Sequence, residues 1–116
     1  MFAILLICGA GFGWADDMAV NVAVNSGVNS GAIDAQRAQQ LEHLVRQDCG
    51  SCHGMTLKGG LGPDIRAATL QGSDPEAVKQ IILDGVPGTP MPPWRALISE
   101  TEARWIADYL IRGGAQ

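Results

Sequence analysis

Cys49-Gly50-Ser51-Cys52-His53 packs two thiols and an imidazole into five positions of a chain with only 3 cysteines and 2 histidines. Soft ligands at this spacing serve a handful of chemistries. A redox dithiol in a thioredoxin-like frame needs alternating strands and helices around it, and the flanking sequence offers none. A structural zinc site needs four ligands, which these residues do not supply. A disulfide across two intervening residues closes too small a loop to stabilise much. The remaining chemistry is covalent haem attachment, for which C-x-x-C-H is the signature. Cys49 and Cys52 would form thioethers to the two vinyl groups of one porphyrin edge, and His53 would then lie beneath the iron as proximal ligand.

A second axial ligand decides what such an iron can do. The candidates are Met18, Met55, Met91 and His43. Met18 falls in a polar N-terminal segment. Met55 follows His53 too closely to reach the opposite face of the haem. His43 lies about 200° round a helix from Leu41, at roughly 100° per residue, away from the apolar face. Met91 sits in Gly88-Thr89-Pro90-Met91-Pro92-Pro93-Trp94, where three prolines fix the local backbone and remove amide donors. That stiffness suits a thioether that must meet a metal with little rearrangement, and Met91 is the expected sixth ligand. The plainer reading of Met91 is a gap-filling core residue.

These residues need elements to hold them. Three helices are expected. The first runs from about Asp34 through Gln47, with Ala38, Leu41, Leu44 and Val45 on one face. The second opens with Asp74 as N-cap and Pro75 at the first helical position, carries Val78, Ile81 and Ile82 as its apolar stripe, and stops at Gly85. The third begins with the capping box Ser99-x-x-Glu102 and places Trp105, Ile106, Tyr109 and Leu110 on one face before Gly113-Gly114. Between the first two, the Gly- and Pro-containing stretch around Lys58–Asp64 is long for a loop in a compact domain and needs something to wrap around. No convincing strand is visible.

The N-terminal quarter reads differently. Residues 1–15, MFAILLICGAGFGWA, carry no charge and end in small residues before Asp16-Asp17, as a secretory leader does; the run is shorter than the ~20 residues a spanning helix takes. Residues 16–32 repeat Val-Asn and Asn-Ser-Gly and read as a flexible tether. The domain is then residues 33–116, small enough to need a disulfide, metal or cofactor for stability. Export fits the motif, since haem of this kind is attached outside the cytoplasm, so a periplasmic location is expected. The chain would meet a membrane only through an uncleaved leader.

From Ala35 to Ile111 the chain resembles a class I cytochrome c. The resemblance is carried by CGSCH, the Gly62-Pro63 pair, Met91 before Pro92 and the Trp105/Tyr109/Leu110 face. It implies an all-α fold, three main helices and long loops enclosing one covalently bound haem, with the first and last helices crossing. It also implies that the Pro63 carbonyl accepts a hydrogen bond from His53, the contact that orients a ligating imidazole. The first helix lacks the glycine usual at that crossing, so Ala38 or a wider separation must serve. More narrowly, LVRQDCGSCHGMTLKGGLGP and PGTPMPPW are similar to the small exported cytochromes of the c-55X type from denitrification clusters, which accompany cytochrome cd1 nitrite reductase.

The implied function is outer-sphere electron transfer by an electron carrier, not an enzyme. With His53 and Met91 on the iron no substrate coordinates, and one electron would pass from a respiratory donor to a redox protein, in the narrower resemblance cytochrome cd1 nitrite reductase. That group is also associated with d1-haem maturation of the reductase. A rival reading leaves Met91 off the iron, giving a five-coordinate sensor or peroxidase with Arg66 or Arg95 as distal group. The net charge of −4, from 8 basic and 12 acidic side chains, argues against nucleic acid or an anionic membrane as target. Lys58, Arg66 and Arg95 are the basic residues placed to form a docking patch, or are ordinary solvated charges. Nothing in the pattern calls for a partner copy, so a monomer is expected.

Overall fold

The computed structural model describes residues 32–115; the expected leader lies outside them, as does nearly all of the expected tether. Among the described residues every regular element is helical. Helix α1 (Ala35–Leu44) starts where Asp34 accepts a 2.8 Å hydrogen bond from the Arg37 amide. It continues without a break through a π turn (Val45–Cys49) into a single turn, α2 (Gly50–His53). The haem motif is therefore the end of the first helix and not a loop after it. The sequence places that helix's end near Gln47; the π turn is the reason it runs on. One extra residue in the turn shifts the angular phase of everything after it, so Leu41 and Val45 stay in the core while the motif faces elsewhere.

A second single turn, α3 (Ala67–Leu70), precedes α4 (Pro75–Asp84) and α5 (Glu100–Ile111). The expected start signals operate. Asp74 caps α4 through the Glu76 amide at 3.0 Å, with Pro75 following. Ser99 and Glu102 form the reciprocal box on α5, at 3.2 and 2.7 Å. Helix α4 ends at Gly85, whose φ of 67° is open to glycine at little cost.

The core gathers Leu41 and Val45 from the first helix, Leu57 from the loop, Leu83 from α4 and Ile106 and Leu110 from α5, all nearly inaccessible. Helices α4 and α5 pack side by side, and α1 crosses α5. Ala38 is only half-buried, and the two helices are also tied by Arg37, whose Nε donates to Glu102 at 2.5 Å. On α5, Trp105 stacks on Tyr109 with ring centroids 4.9 Å apart. The apolar stripe of α4, Val78, Ile81 and Ile82, lines a cavity; Ile81 is 49% exposed, while Ile82 also packs against the core. The residues α4 buries are Leu83, one position outside that stripe, and Lys79.

Candidate haem site

The cavity measures about 910 Å³, near the top of the ~300–1,000 Å³ range of small-molecule and cofactor sites. One wall is the end of the first helix, with Cys49, Cys52 and His53. The loop after α4 contributes Met91 and Trp94 to the same lining. Helices α4 and α5 close the back with Val78, Ile82, Ile106 and Leu110. The long loop does wrap around something: this cavity.

The loop is fastened to the motif by backbone bonds. The Gly59 amide donates to the His53 carbonyl and the Gly62 amide to the Cys52 carbonyl, each at 2.8 Å. Carbonyls that a helix end leaves unpaired are thereby satisfied, and the chain is brought past the imidazole. Leu57, buried with φ of 57°, is among the described residues the one non-glycine in the left-handed region, and its carbonyl takes the Ile65 amide at 3.0 Å. As a result the Pro63 carbonyl oxygen lies 2.7 Å from His53 Nδ1. A carbonyl can only accept, so Nδ1 carries the proton and donates it, leaving Nε2 with a free lone pair. Gly62 makes the approach possible: a Cβ there would stand 2.7 Å from Cε1 and 2.8 Å from Nδ1 of the ring.

Cys49 and Cys52 are half-buried thiols beside the same cavity. Burial, and secondarily the charge of Asp48, pushes Cys49 up to about 11. Met91 is half-buried in the loop after α4. Its carbonyl accepts from the Val86 amide at 3.2 Å, and the Trp94 amide returns to the Leu83 carbonyl at 3.0 Å. The loop crosses directly over Gly85, where a Cβ would come within 2.6 Å of the Met91 carbonyl oxygen. The glycine that ends α4 thus also makes room for the methionine loop, a role the helix-stop reading misses.

The other candidates fall elsewhere. His43 is exposed, Met55 is 64% exposed and off the cavity wall, and Met18 lies outside the described residues. Arg66 bonds Asp64 through Nε and Nη2, at 3.1 and 2.5 Å. Arg95 reaches Asp84 at 2.6 Å and Glu100 at 3.3 Å. Both guanidiniums are engaged, and neither lines the cavity. Among the described residues no cluster of three or more His, Cys, Asp or Glu could hold a metal ion by itself. Two thiols, an imidazole with Nε2 free, a thioether on the same cavity lining and largely apolar walls are the donor set and surroundings that haem c takes. Sequence reasoning missed Thr69 and Leu70 of α3 as wall residues; a single turn leaves no periodicity to read.

Comparison with known proteins shows the family. Residues 36–110 match the family model described as cytochrome c oxidase, cbb3-type, subunit III. Cytochrome c55X of Paracoccus denitrificans (strain Pd 1222) is 60% identical over 82 residues, spanning 71% of this chain and 80% of that one. The solved structure of a c-type cytochrome NirC superposes with a TM-score of 0.69 at 49% identity, covering 72% of this chain and 98% of that one. A third likeness is partial. Dihydro-heme d1 dehydrogenase NirN, solved in complex with DHE, matches at 33% identity and a TM-score of 0.55 over 60% of this chain and 15% of that one.

Proposed function

Because the chain belongs to the cytochrome c family, among the NirC-type cytochromes c55X, we propose that it is an exported carrier of single electrons to cytochrome cd1 nitrite reductase. It is a c-type cytochrome, an electron carrier whose family implies haem c. In this reading Cys49 and Cys52 form the thioethers, and His53 and Met91 are the axial ligands. One observation carries the reading: the 2.7 Å bond from His53 Nδ1 to the Pro63 carbonyl.

Haem iron, when bound, supplies the one-electron couple. The chain's own residues do the rest. The Pro63 carbonyl holds the Nδ1 proton, so the imidazole keeps one tautomer and one orientation. Gly62 offers no side chain to displace the ring. Ile82, Ile106 and Leu110 keep water from the buried face, and a thioether from Met91 favours the reduced state. The loop bonds at Val86 and Trp94 hold Met91 in place in both oxidation states. With His53 and Met91 both holding the iron, haem when bound would exchange electrons without substrate coordination.

Residues 1–15 as a leader and the periplasm as location belong to the same proposal. No helix of the described residues is long and apolar enough to cross a membrane. The test is anaerobic stopped-flow mixing of the reduced, haem-loaded protein with oxidised cytochrome cd1 nitrite reductase. Oxidation fast enough to sustain nitrite turnover, slowed at least tenfold in Met91→Ala, is expected. No oxidation over many turnover times would sink the direct-donor reading.

The partial match to dihydro-heme d1 dehydrogenase favours a second reading, in which this carrier serves d1-haem maturation. That enzyme contains a portion built like this chain, and a dehydrogenase needs an electron acceptor. Full nitrite reduction by pre-formed reductase without this protein, together with failed assembly of new reductase, would point there.

A further inference from the structure

From Val86 to Pro93 the loop that carries Met91 is exposed at every position but Met91 itself, which is half-buried. Packing therefore holds little of it, and its fastenings are polar. Inside the loop, the Met91 amide donates to Thr89 Oγ1 at 3.3 Å and the Met91 carbonyl accepts from the Val86 amide at 3.2 Å. These bonds shape the loop but tie it to no helix. The ties to α4 come at Trp94 and Arg95, whose amides both reach the Leu83 carbonyl, at 3.0 and 3.3 Å. Arg95 then adds its side chain, and one guanidinium spans three acceptors. Nε donates to Asp84 at 2.6 Å and Nη2 to Gln80 at 3.2 Å, both on α4, while Nη1 donates at 3.3 Å to Glu100, the first residue of α5. The other Glu100 oxygen lies 3.9 Å from Nζ of Lys79, a buried residue of α4 that also pairs with Glu76.

Resting on the reading of Met91 as an axial ligand, we propose that Arg95 is a positioning residue: its fork latches the Met91 loop to α4 and α5 and keeps the thioether on the iron. A single exposed ion pair would be too weak for this. A planar guanidinium shared among three acceptors is stronger, because its donors are fixed in one fork. Between the latch and the ligand stand Pro92 and Pro93, each with φ fixed and no amide to donate. Two prolines make a stiff arm, so a shift at Arg95 reaches Met91 instead of being absorbed on the way.

The test titrates ferric, haem-loaded protein with imidazole and follows the shift of the Soret band. Imidazole binds only while Met91 is off the iron, so its apparent affinity reports how often the loop lets go. Arg95→Gln should bind imidazole about three- to fivefold more tightly than wild type. Arg37→Gln removes the ion pair of α1 with Glu102 and touches nothing in the loop; its imidazole affinity should stay at the wild-type value. Met91→Ala should bind imidazole about tenfold more tightly or better, and adding Arg95→Gln to it should change nothing further. Wild-type affinity in Arg95→Gln, an equal gain in Arg37→Gln, or a gain from Arg95→Gln that persists without Met91 would overturn the latch and leave Met91 as the ligand. Unchanged affinity in Met91→Ala would overturn the ligand reading itself, and the latch with it.

Discussion

At the scale of single residues, the site depends as much on side chains that are missing as on those present. The signature Cys49–His53 announces its chemistry in the sequence, because thioether spacing and a following imidazole are a local pattern. Gly62 announces nothing alone, since it is needed only because the His53 ring lies within 2.8 Å of where a Cβ would stand; Gly85 is legible as a helix stop, with φ of 67°, but not as the gap over which the Met91 loop passes. Gly62→Ala should push the His53 ring off the Pro63 carbonyl. The expected outcome is haem incorporation reduced severalfold, with the absorption spectrum of any loaded fraction altered, read from pyridine haemochrome yield and visible spectra. Incorporation and spectra equal to wild type would contradict the cradle. In haem-free protein, Cys49 should alkylate more slowly than an ordinary thiol below pH ~9, its rate climbing toward the raised value of about 11. Burial disfavours the thiolate, which is the reactive form. Iodoacetamide labelling of Cys52→Ser across pH 7–11 measures it.

At the scale of elements, capping chemistry was legible and packing partners were not. Asp74-Pro75 and Ser99-x-x-Glu102 are short-range patterns and start α4 and α5 where the sequence says. The face of α4 was legible as apolar, yet periodicity cannot say whether an apolar stripe packs on protein or lines a cavity, and Ile81 does the latter. Nor does periodicity reveal the π turn. Glu102 has a double task, since it caps α5 through the Ser99 amide and receives Arg37 from α1. Burial alone would raise its pKa, but the hydrogen bonds from Arg37 and Ser99 outweigh that and hold it below 4.5. A carboxylate with a depressed folded value contributes stability above its unfolded value and loses it as pH falls through the folded one. Glu102→Gln should therefore cost about 1–2 kcal/mol at pH 7. The difference from wild type should shrink as pH drops below 4.5, as measured by urea unfolding at a series of pH values. A pH-independent difference would show that the charge is not what matters.

At the scale of the whole molecule, the chain is built around what it holds. The core is a handful of side chains, while the cavity takes about 910 Å³. At ~24 cal/mol per Å³, even a third of that volume left to apolar walls alone would cost about 7 kcal/mol, comparable with the ~5–15 kcal/mol stability of ordinary domains. Cys49→Ala/Cys52→Ala protein, which cannot attach haem, should therefore show no cooperative thermal transition by circular dichroism above ~20 °C, whereas the loaded protein should melt sharply. A sharp, wild-type-like melt in the double variant would mean that the helices stand alone. The all-α class and the need for a cofactor were both legible from a short domain with one haem signature. The closing of the cavity by α3 and the neutralisation of Arg66 and Arg95 were not, because both depend on neighbours brought together only by the fold.

The loop that carries Met91 leaves and rejoins the same helix end: the Val86 amide closes it on the Met91 carbonyl, the Trp94 amide ties it to the Leu83 carbonyl, and it passes over Gly85. Such a stretch behaves as an exchangeable cassette. Residues 87–92 can be rewritten, lengthened or given a different ligand while the helices, the haem motif and the capping signals stay as they are. The protein thereby keeps the tuning of its metal apart from the making of its fold, and new redox properties are open to it through six positions that no helix depends on.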